Sequence, residues 1–229
     1  MMNLLLLSNS RSPDGRFLHH AAAAIGEITH GCRRAFFVPF ASVTASWDDF
    51  TARVQKALEP AGLRIEPAHT GGSLAEADAI VVGGGNTFNL LRECRRRNLL
   101  APIAARVRAG VPYIGWSAGA NLTCPTICTT NDMPIVDCGG FDALGLINFQ
   151  INPHFTDAMP EGHKGETRRQ RIAEYLVTNP QSPVVGLPEG DWFRVSNQET
   201  RLKGPHPAFL FRSGRDAQVL QPGALLDLS

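Results

Sequence analysis

No excess of either charge sign marks this chain: 22 Lys and Arg face 21 Asp and Glu over 229 residues, a net charge of +1. That balance, with no charged tail, argues against a nucleic acid or anionic membrane held by bulk electrostatics. Nor does any apolar run reach membrane-spanning length. The first one, Leu4-Leu5-Leu6-Leu7, follows no basic residues and is shorter than the core of a signal peptide. It reads as a buried first strand. Cysteines are odd in number, five, which without an export signal points to reduced thiols and a cytoplasmic location. Cys124, Cys128 and Cys138 fit no common zinc spacing, so no metal is expected. Internal repeats, low-complexity segments and long linkers are also missing. With 43% hydrophobic and 19% charged residues, the chain suits one folded domain over 1–229.

What is present is a regular alternation. Strands are expected at 3–7, 35–38, 63–67 and 79–82 and in the run leading into Gly115; helices are expected at 17–29, 47–58, 88–97 and 101–108. Ser42, Thr44 and Ser46 offer N-caps for the helix at 47–58, whose Asp48 and Asp49 suit its first turn. Strands at 146–151 and 184–187 follow, separated by a helix that begins in the charged segment 161–171 and runs to Val177. This order specifies an α/β fold: a mostly parallel sheet with helices on both faces and βα loops gathered along its carboxyl edge. Short segments at 192–196, 201–203 and 208–211 read as a small antiparallel C-terminal extension covering one end of that sheet.

Chemistry concentrates at strand ends. Gly115-Trp116-Ser117-Ala118-Gly119 reads as strand, tight turn and helix, with a serine hydroxyl projecting from the apex and helix N–H groups aimed at the same spot. The same residues also suit a βα turn whose glycines only let strand and helix pack. A serine nucleophile needs a base oriented by a third group. His154 follows a strand through Asn152-Pro153, and Glu189 follows another through Pro188, so both are expected on the carboxyl edge with Ser117. The alternatives are a capping histidine and a solvated turn glutamate. Asp132, Asp137 and Asp157 are rival acids, and His163 and His206 are weaker bases. Gly83-Gly84-Gly85-Asn86-Thr87 fails as a dinucleotide fingerprint and as a Walker loop. It suits an oxyanion-binding turn at a helix N-terminus, with Gly85 and Ala118 N–H as paired donors, or a turn that simply packs.

These motifs resemble peptidase E, the α-aspartyl dipeptidase family of serine peptidases. The match runs through 4–10, 82–88, 113–121, 129–136, 150–154, 160–167 and 186–190 and is weakest beyond Gly204. The resemblance implies a flavodoxin-like fold of the class I glutamine amidotransferase type, with serine where those enzymes use cysteine. It implies hydrolysis of small acidic peptides, Asp-Xaa, through an acyl-enzyme and without metal or cofactor. Ser117 falls at the nucleophile, His154 at the base and Glu189 at the triad acid. Gly85 and Ala118 fall at the oxyanion donors, with Asn86 beside them among the substrate-binding residues. Arg168, next to Arg169 and Arg171, falls where the aspartate side chain would bind. Asp132, in Thr-Asn-Asp-Met-Pro, would orient the site or neutralise the substrate's ammonium. A non-catalytic module binding a small acidic ligand and an isoaspartyl or cyanophycin-type peptidase are the competing functions. Monomer and homodimer are equally compatible with the sequence.

Overall fold

The four leucines that open the chain form β1 (Asn3–Leu7) and are all fully buried. Successive side chains of a strand point to opposite faces, and here both faces are covered. Leu4 and Leu6 enter one core, Leu5 and Leu7 the other. The computed structural model describes residues 2–159, 162, 164–196 and 199–228. After β1 come α1 (Ala22–Ile28), β2 (Arg34–Val38), α2 (Trp47–Leu58), β3 (Arg64–Pro67) and β4 (Ala79–Val82). Next are α3 (Thr87–Arg96), α4 (Leu100–Arg108), β5 (Tyr113–Trp116) and the one-turn α5 (Ala118–Asn121). Then follow β6 (Gln150–Asn152), α6 (Arg168–Thr178), β7 (Val184–Gly186), β8 (Trp192–Ser196), β9 (Glu199–Lys203), β10 (Ala208–Phe211) and β11 (Gln218–Leu220).

The main sheet has seven strands in the order β3-β2-β4-β5-β1-β8-β9, the first five parallel. Helices α1 and α2 cover one face through Ile25, Ile28, Phe50, Val54 and Leu58. On the other face lie α3, α4 and α5, through Leu90, Leu91, Ile103, Val107 and Ala118. Ser46 caps α2 by accepting from Asp49 N–H at 3.0 Å, and the first turn carries Asp48 and Asp49, as expected from the sequence. Each fully buried Leu, Val or Phe contributes roughly 1.5–3 kcal/mol, so these apolar stripes outweigh capping, worth about 1 kcal/mol, in holding the helices to the sheet. Among the described residues no helix is long and apolar enough to cross a membrane.

The C-terminal part departs from expectation. It does not cover one end of a single sheet. Strands β8 and β9 extend the main sheet, β8 lying antiparallel beside β1. A second sheet, β11-β10-β7-β6, takes the remaining strands, with only β6 and β7 parallel. The strand expected at 146–151 shortens to β6 because Leu146 and Ile147 N–H both bond to the Thr123 carbonyl, not to a neighbouring strand. The helix expected at 17–29 is reduced to α1 preceded by a 3₁₀ turn, where Leu18 turns the chain at φ 57°. Helix α6 packs on the second sheet through Ile172 and Leu176 against Phe155, Val184 and Phe211.

Close approach of α5 to β4 depends on Gly119. A Cβ there would collide with the Val82 carbonyl oxygen, and backbone cannot yield as a flexible side chain does. The Gly119→Ala variant is expected to lose about 1–3 kcal/mol of stability, read as a lower urea midpoint at unchanged m value.

Candidate active site

Ser117 stands at the end of β5, the strand between β4 and β1. Its backbone is at φ 53°, ψ −114°, a rare conformation for a side-chain-bearing residue. The turn holds because Ser117 N–H donates to the Leu7 carbonyl at 3.0 Å, and Asn121 N–H donates back to the Ser117 carbonyl at 2.9 Å. Below it, the Tyr113 hydroxyl donates to the Gly119 carbonyl at 2.6 Å. That phenol is fully buried, and burial holds its pKa well above the ordinary value, so it remains a donor.

His154 likewise sits at positive φ, 55°, immediately after Asn152-Pro153. Its Nε2 lies 2.9 Å from Ser117 Oγ, and its Nδ1 lies 2.6 Å from Glu189 Oε1. Hydroxyl, imidazole and carboxylate therefore form one continuous chain. The three do not share a single sheet edge as anticipated: Ser117 ends a main-sheet strand, whereas His154 and Glu189 follow β6 and β7 of the second sheet. Glu189 is 62% exposed at its side chain and His154 36%.

Ser8 and Asn9 join the two sheets at this point, a role absent from the sequence reading. The fully buried Ser8 hydroxyl accepts from His154 N–H at 2.8 Å and donates to the Leu187 carbonyl at 2.8 Å. Asn9 Oδ1 accepts from Gly190 N–H at 2.9 Å. With Leu7 holding Ser117, three consecutive residues at the end of β1 thus grip all three chemical segments. A polar pair placed directly after four buried leucines was the available signal.

The remaining candidates separate by contacts. Gly85 lies at φ 139° against the Ala41 backbone, a position only glycine fits. Neither Gly85 N–H nor Ala118 N–H has an acceptor among the described residues. Asn86 lines the cavity, but its amide is committed elsewhere. Oδ1 caps α3 by accepting from Asn89 N–H, and Nδ2 donates to the Met133 carbonyl. Asp132 is not the acid beside His154. Its Oδ2 accepts from Thr87 N–H at 2.7 Å, Thr87 Oγ1 at 2.6 Å and Thr130 Oγ1 at 3.1 Å. Asp157 holds Arg169 through two oxygens, and Asp137 accepts from Gly139 N–H. His206 pairs with Asp191 at 3.4 Å, and His163 lies outside the described residues.

A cavity of about 730 Å³ opens over Ser117 and His154 and is walled by Gly84, Gly85, Asn86, Trp116 and Asp132. Arg168 does not line it. That residue lines an adjoining space of about 130 Å³, and Asp132 belongs to both. Of its neighbours, Arg169 is spent on Asp157 and stacks over Phe155, Phe209 and Phe211, with Arg169 Cζ 4.4 Å from the Phe209 ring. Arg171 lies 3.9 Å from Glu166. Arg168 alone of the three has a guanidinium with neither a hydrogen bond nor an ion pair among the described residues. Burial lowers its pKa, Arg171 adds to that, and Glu189 opposes it. No group of three or more His, Cys, Asp or Glu that would hold a metal occurs among the described residues, and burial pushes the Cys94 and Cys124 thiols up to about 12.

The model of peptidase family S51 matches residues 4–203. The chain belongs to peptidase family S51. Family S51 relatives include peptidase E of Citrobacter koseri and of Salmonella arizonae. Each is 55% identical over 226 residues, covering 97% of this chain and 99% of the relative. A putative peptidase E protein from Listeria monocytogenes matches the structure with a TM-score of 0.65 at 27% identity, covering 90% of this chain and all of the other. A peptidase from an acI-B1 actinobacterium shares the fold at TM-score 0.73 and 14% identity, over 100% of this chain and 97% of that one. Membership of S51 makes the protein a serine-type peptidase, which sets aside the reading as a non-catalytic module.

Two outcomes follow from the geometry. Ser8→Ala leaves the His154 N–H without its acceptor, while the Leu187 carbonyl keeps Phe155 N–H, so stability is expected to drop by about 1–3 kcal/mol, with kcat falling more than KM rises. Retention of wild-type kcat by the folded variant would show that Ser8 does not position His154 for turnover. Asp191 gives a pH dependence. Its carboxyl is fully buried and raised from 3.8 to about 6, chiefly by burial, with the His206 contacts opposing. A carboxyl raised on folding favours the folded state below about pH 4 and loses that contribution as pH rises through about 6. Between pH 4 and 7.5 the wild type is expected to lose on the order of 2 kcal/mol relative to Asp191→Asn, read from denaturation midpoints at each pH.

Proposed function

We propose that this S51 peptidase is a dipeptidase that hydrolyses Asp-Xaa, with Ser117 as nucleophile, His154 as base and Glu189 as triad acid, the whole chain 1–229 acting as one catalytic domain. The observation that carries the reading is His154 bridging Ser117 Oγ at 2.9 Å and Glu189 Oε1 at 2.6 Å. Both sheets contribute to one core, where Leu4 and Leu6 meet Val185 and Leu187, which supports the single-domain assignment.

Glu189 accepts a hydrogen bond from His154 Nδ1–H, which leaves Nε2 bare toward the serine. As Ser117 Oγ attacks the peptide carbonyl, Nε2 takes its proton, and Glu189 stabilises the imidazolium. The tetrahedral oxyanion is bound by the unengaged Gly85 and Ala118 N–H groups, with the α5 N-terminus behind the second. His154 then protonates the departing amine, and water repeats the route to release aspartate from the acyl-enzyme. Asn86 serves by fixing the turn that aims Gly85. Asp132, already gripped by Thr87 and Thr130, offers its Oδ1 to the substrate ammonium. Arg168, half-buried and without a hydrogen-bond acceptor, takes the aspartate carboxylate from the adjoining space. An asparagine in that place leaves the guanidinium unpaired, a mismatch of about 1–3 kcal/mol.

Asp-Leu hydrolysis is expected to fall roughly a thousand-fold or more in Ser117→Ala and His154→Ala, with the fold retained by circular dichroism. Glu189→Gln is expected to lose far more kcat than Asp132→Asn, whose effect falls on KM; the reverse order would remove Glu189 from the triad. Arg168→Met is expected to reduce kcat/KM for Asp-Leu by ten-fold or more while sparing Ala-Leu. Equal turnover of β-Asp-Leu and Asp-Leu by the wild type would redirect the substrate assignment to isoaspartyl peptides.

A further inference from the structure

Cations in this fold are mostly engaged. Arg34 pairs with Glu76, Arg92, Arg96 and Arg97 surround Glu93, and Arg95 and Arg106 are tied to backbone carbonyls. Arg11 and Arg53 are exceptions. Both are exposed, neither guanidinium has a hydrogen bond or ion-pair partner among the described residues, and both line the Ser117 cavity. They approach it from one direction. Arg53 projects from α2, which covers the face holding Leu5 and Leu7. Arg11 belongs to the turn that bridges back to Phe17, a ring packed on Phe50 and Trp116 of the same face. Asp132 lies across the cavity, against the N-terminus of α3 on the opposite face. Ser117 stands between, at the end of the central strand.

We infer that Arg11 and Arg53 form the leaving-residue subsite and bind the free α-carboxylate of the second residue of the dipeptide. The inference rests on the dipeptidase reading above and deepens it. At neutral pH an Asp-Xaa dipeptide carries one ammonium and two carboxylates. The ammonium belongs on the Asp132 side, before the scissile carbonyl. The terminal carboxylate lies one residue beyond that carbonyl, and on the far side of Ser117 the unpaired charges of the cavity are these two guanidiniums. Guanidinium donors match a carboxylate in a planar, bidentate way. A longer peptide replaces that carboxylate with a neutral amide, so the same pair restricts the enzyme to dipeptides by charge and leaves the cavity itself open.

The test compares Asp-Leu with Asp-Leu amide, which lacks only the terminal charge. For the wild type, kcat/KM for Asp-Leu is expected to exceed that for the amide by ten-fold or more. In Arg11→Gln/Arg53→Gln this ratio is expected to collapse toward one, with each single variant intermediate. An unchanged ratio in the double variant overturns the inference, as does a wild-type ratio of one. A second measurement separates this from the substrate assignment. Calorimetric binding of Ala-Leu and Ala-Leu amide to Ser117→Ala protein reads carboxylate recognition whatever the first residue. Preferential binding of the free acid that is lost with Arg11 and Arg53 supports the subsite even if the wild type does not cleave Asp-Leu, which would count against the dipeptidase reading alone. Equal or undetectable binding of acid and amide counts against the subsite.

Discussion

A single buried hydroxyl, that of Ser8, governs the relation between the two sheets where chemistry is proposed to occur. It accepts from His154 N–H and donates to the carbonyl that precedes Pro188-Glu189. The Leu187 carbonyl also accepts from Phe155 N–H at 3.0 Å, but the His154 N–H has the Ser8 oxygen as its acceptor among the described residues, and an unmade bond there is costly. Around it, Leu7 fixes the Ser117 turn and Asn9 fixes Gly190. The first strand therefore does more than fill a core. Its last carbonyl and the next two side chains set the positions of the Ser117, His154 and Glu189 segments relative to one another.

Steric constraint complements this polar one. The chain is compressed around Ser117: Gly84 and Gly85 approach Trp116 and Ala41, and Gly119 approaches the Val82 carbonyl. Two of the four described non-glycine residues at positive φ are Ser117 and His154. Strain at such positions is retained only where surrounding structure determines it. Here it is determined from both sides, by glycines that admit the backbone and by hydrogen bonds that pin it.

Much of this was legible in the sequence, for reasons specific to each element. Strands β1, β2 and β4 and helix α2 declared themselves because continuous apolar runs and an amphipathic, capped helix are local signals. Ser117, His154 and Glu189 were legible because each follows a strand through glycine or proline, a pattern that belongs to the carboxyl ends of strands. The division into two sheets was not, since β8 and β10 look alike as short apolar alternations and differ only in which distant strand they meet. Nor was the use of the arginines. Arg168, Arg169 and Arg171 are near neighbours of one charge, and only three-dimensional packing assigns Arg169 to an aromatic cage and leaves Arg168 unengaged. Ser8 and Asn9 looked like turn residues because a buried polar role depends on partners about 145 to 180 residues away.

Because the proposed triad straddles a seam between sheets, its alignment is a measure of how well those sheets are docked. The main-sheet side is anchored by five parallel strands and two covered faces, whereas β6 and β7 contribute three residues each. Local opening in proteins begins where cooperative contacts are fewest. Separation along this line would detach imidazole from hydroxyl and open the core that β1 shares with β7, while the core under α1 and α2 stays intact. The competence of the site thus depends on how these two sheets meet and not on the mean stability of the molecule.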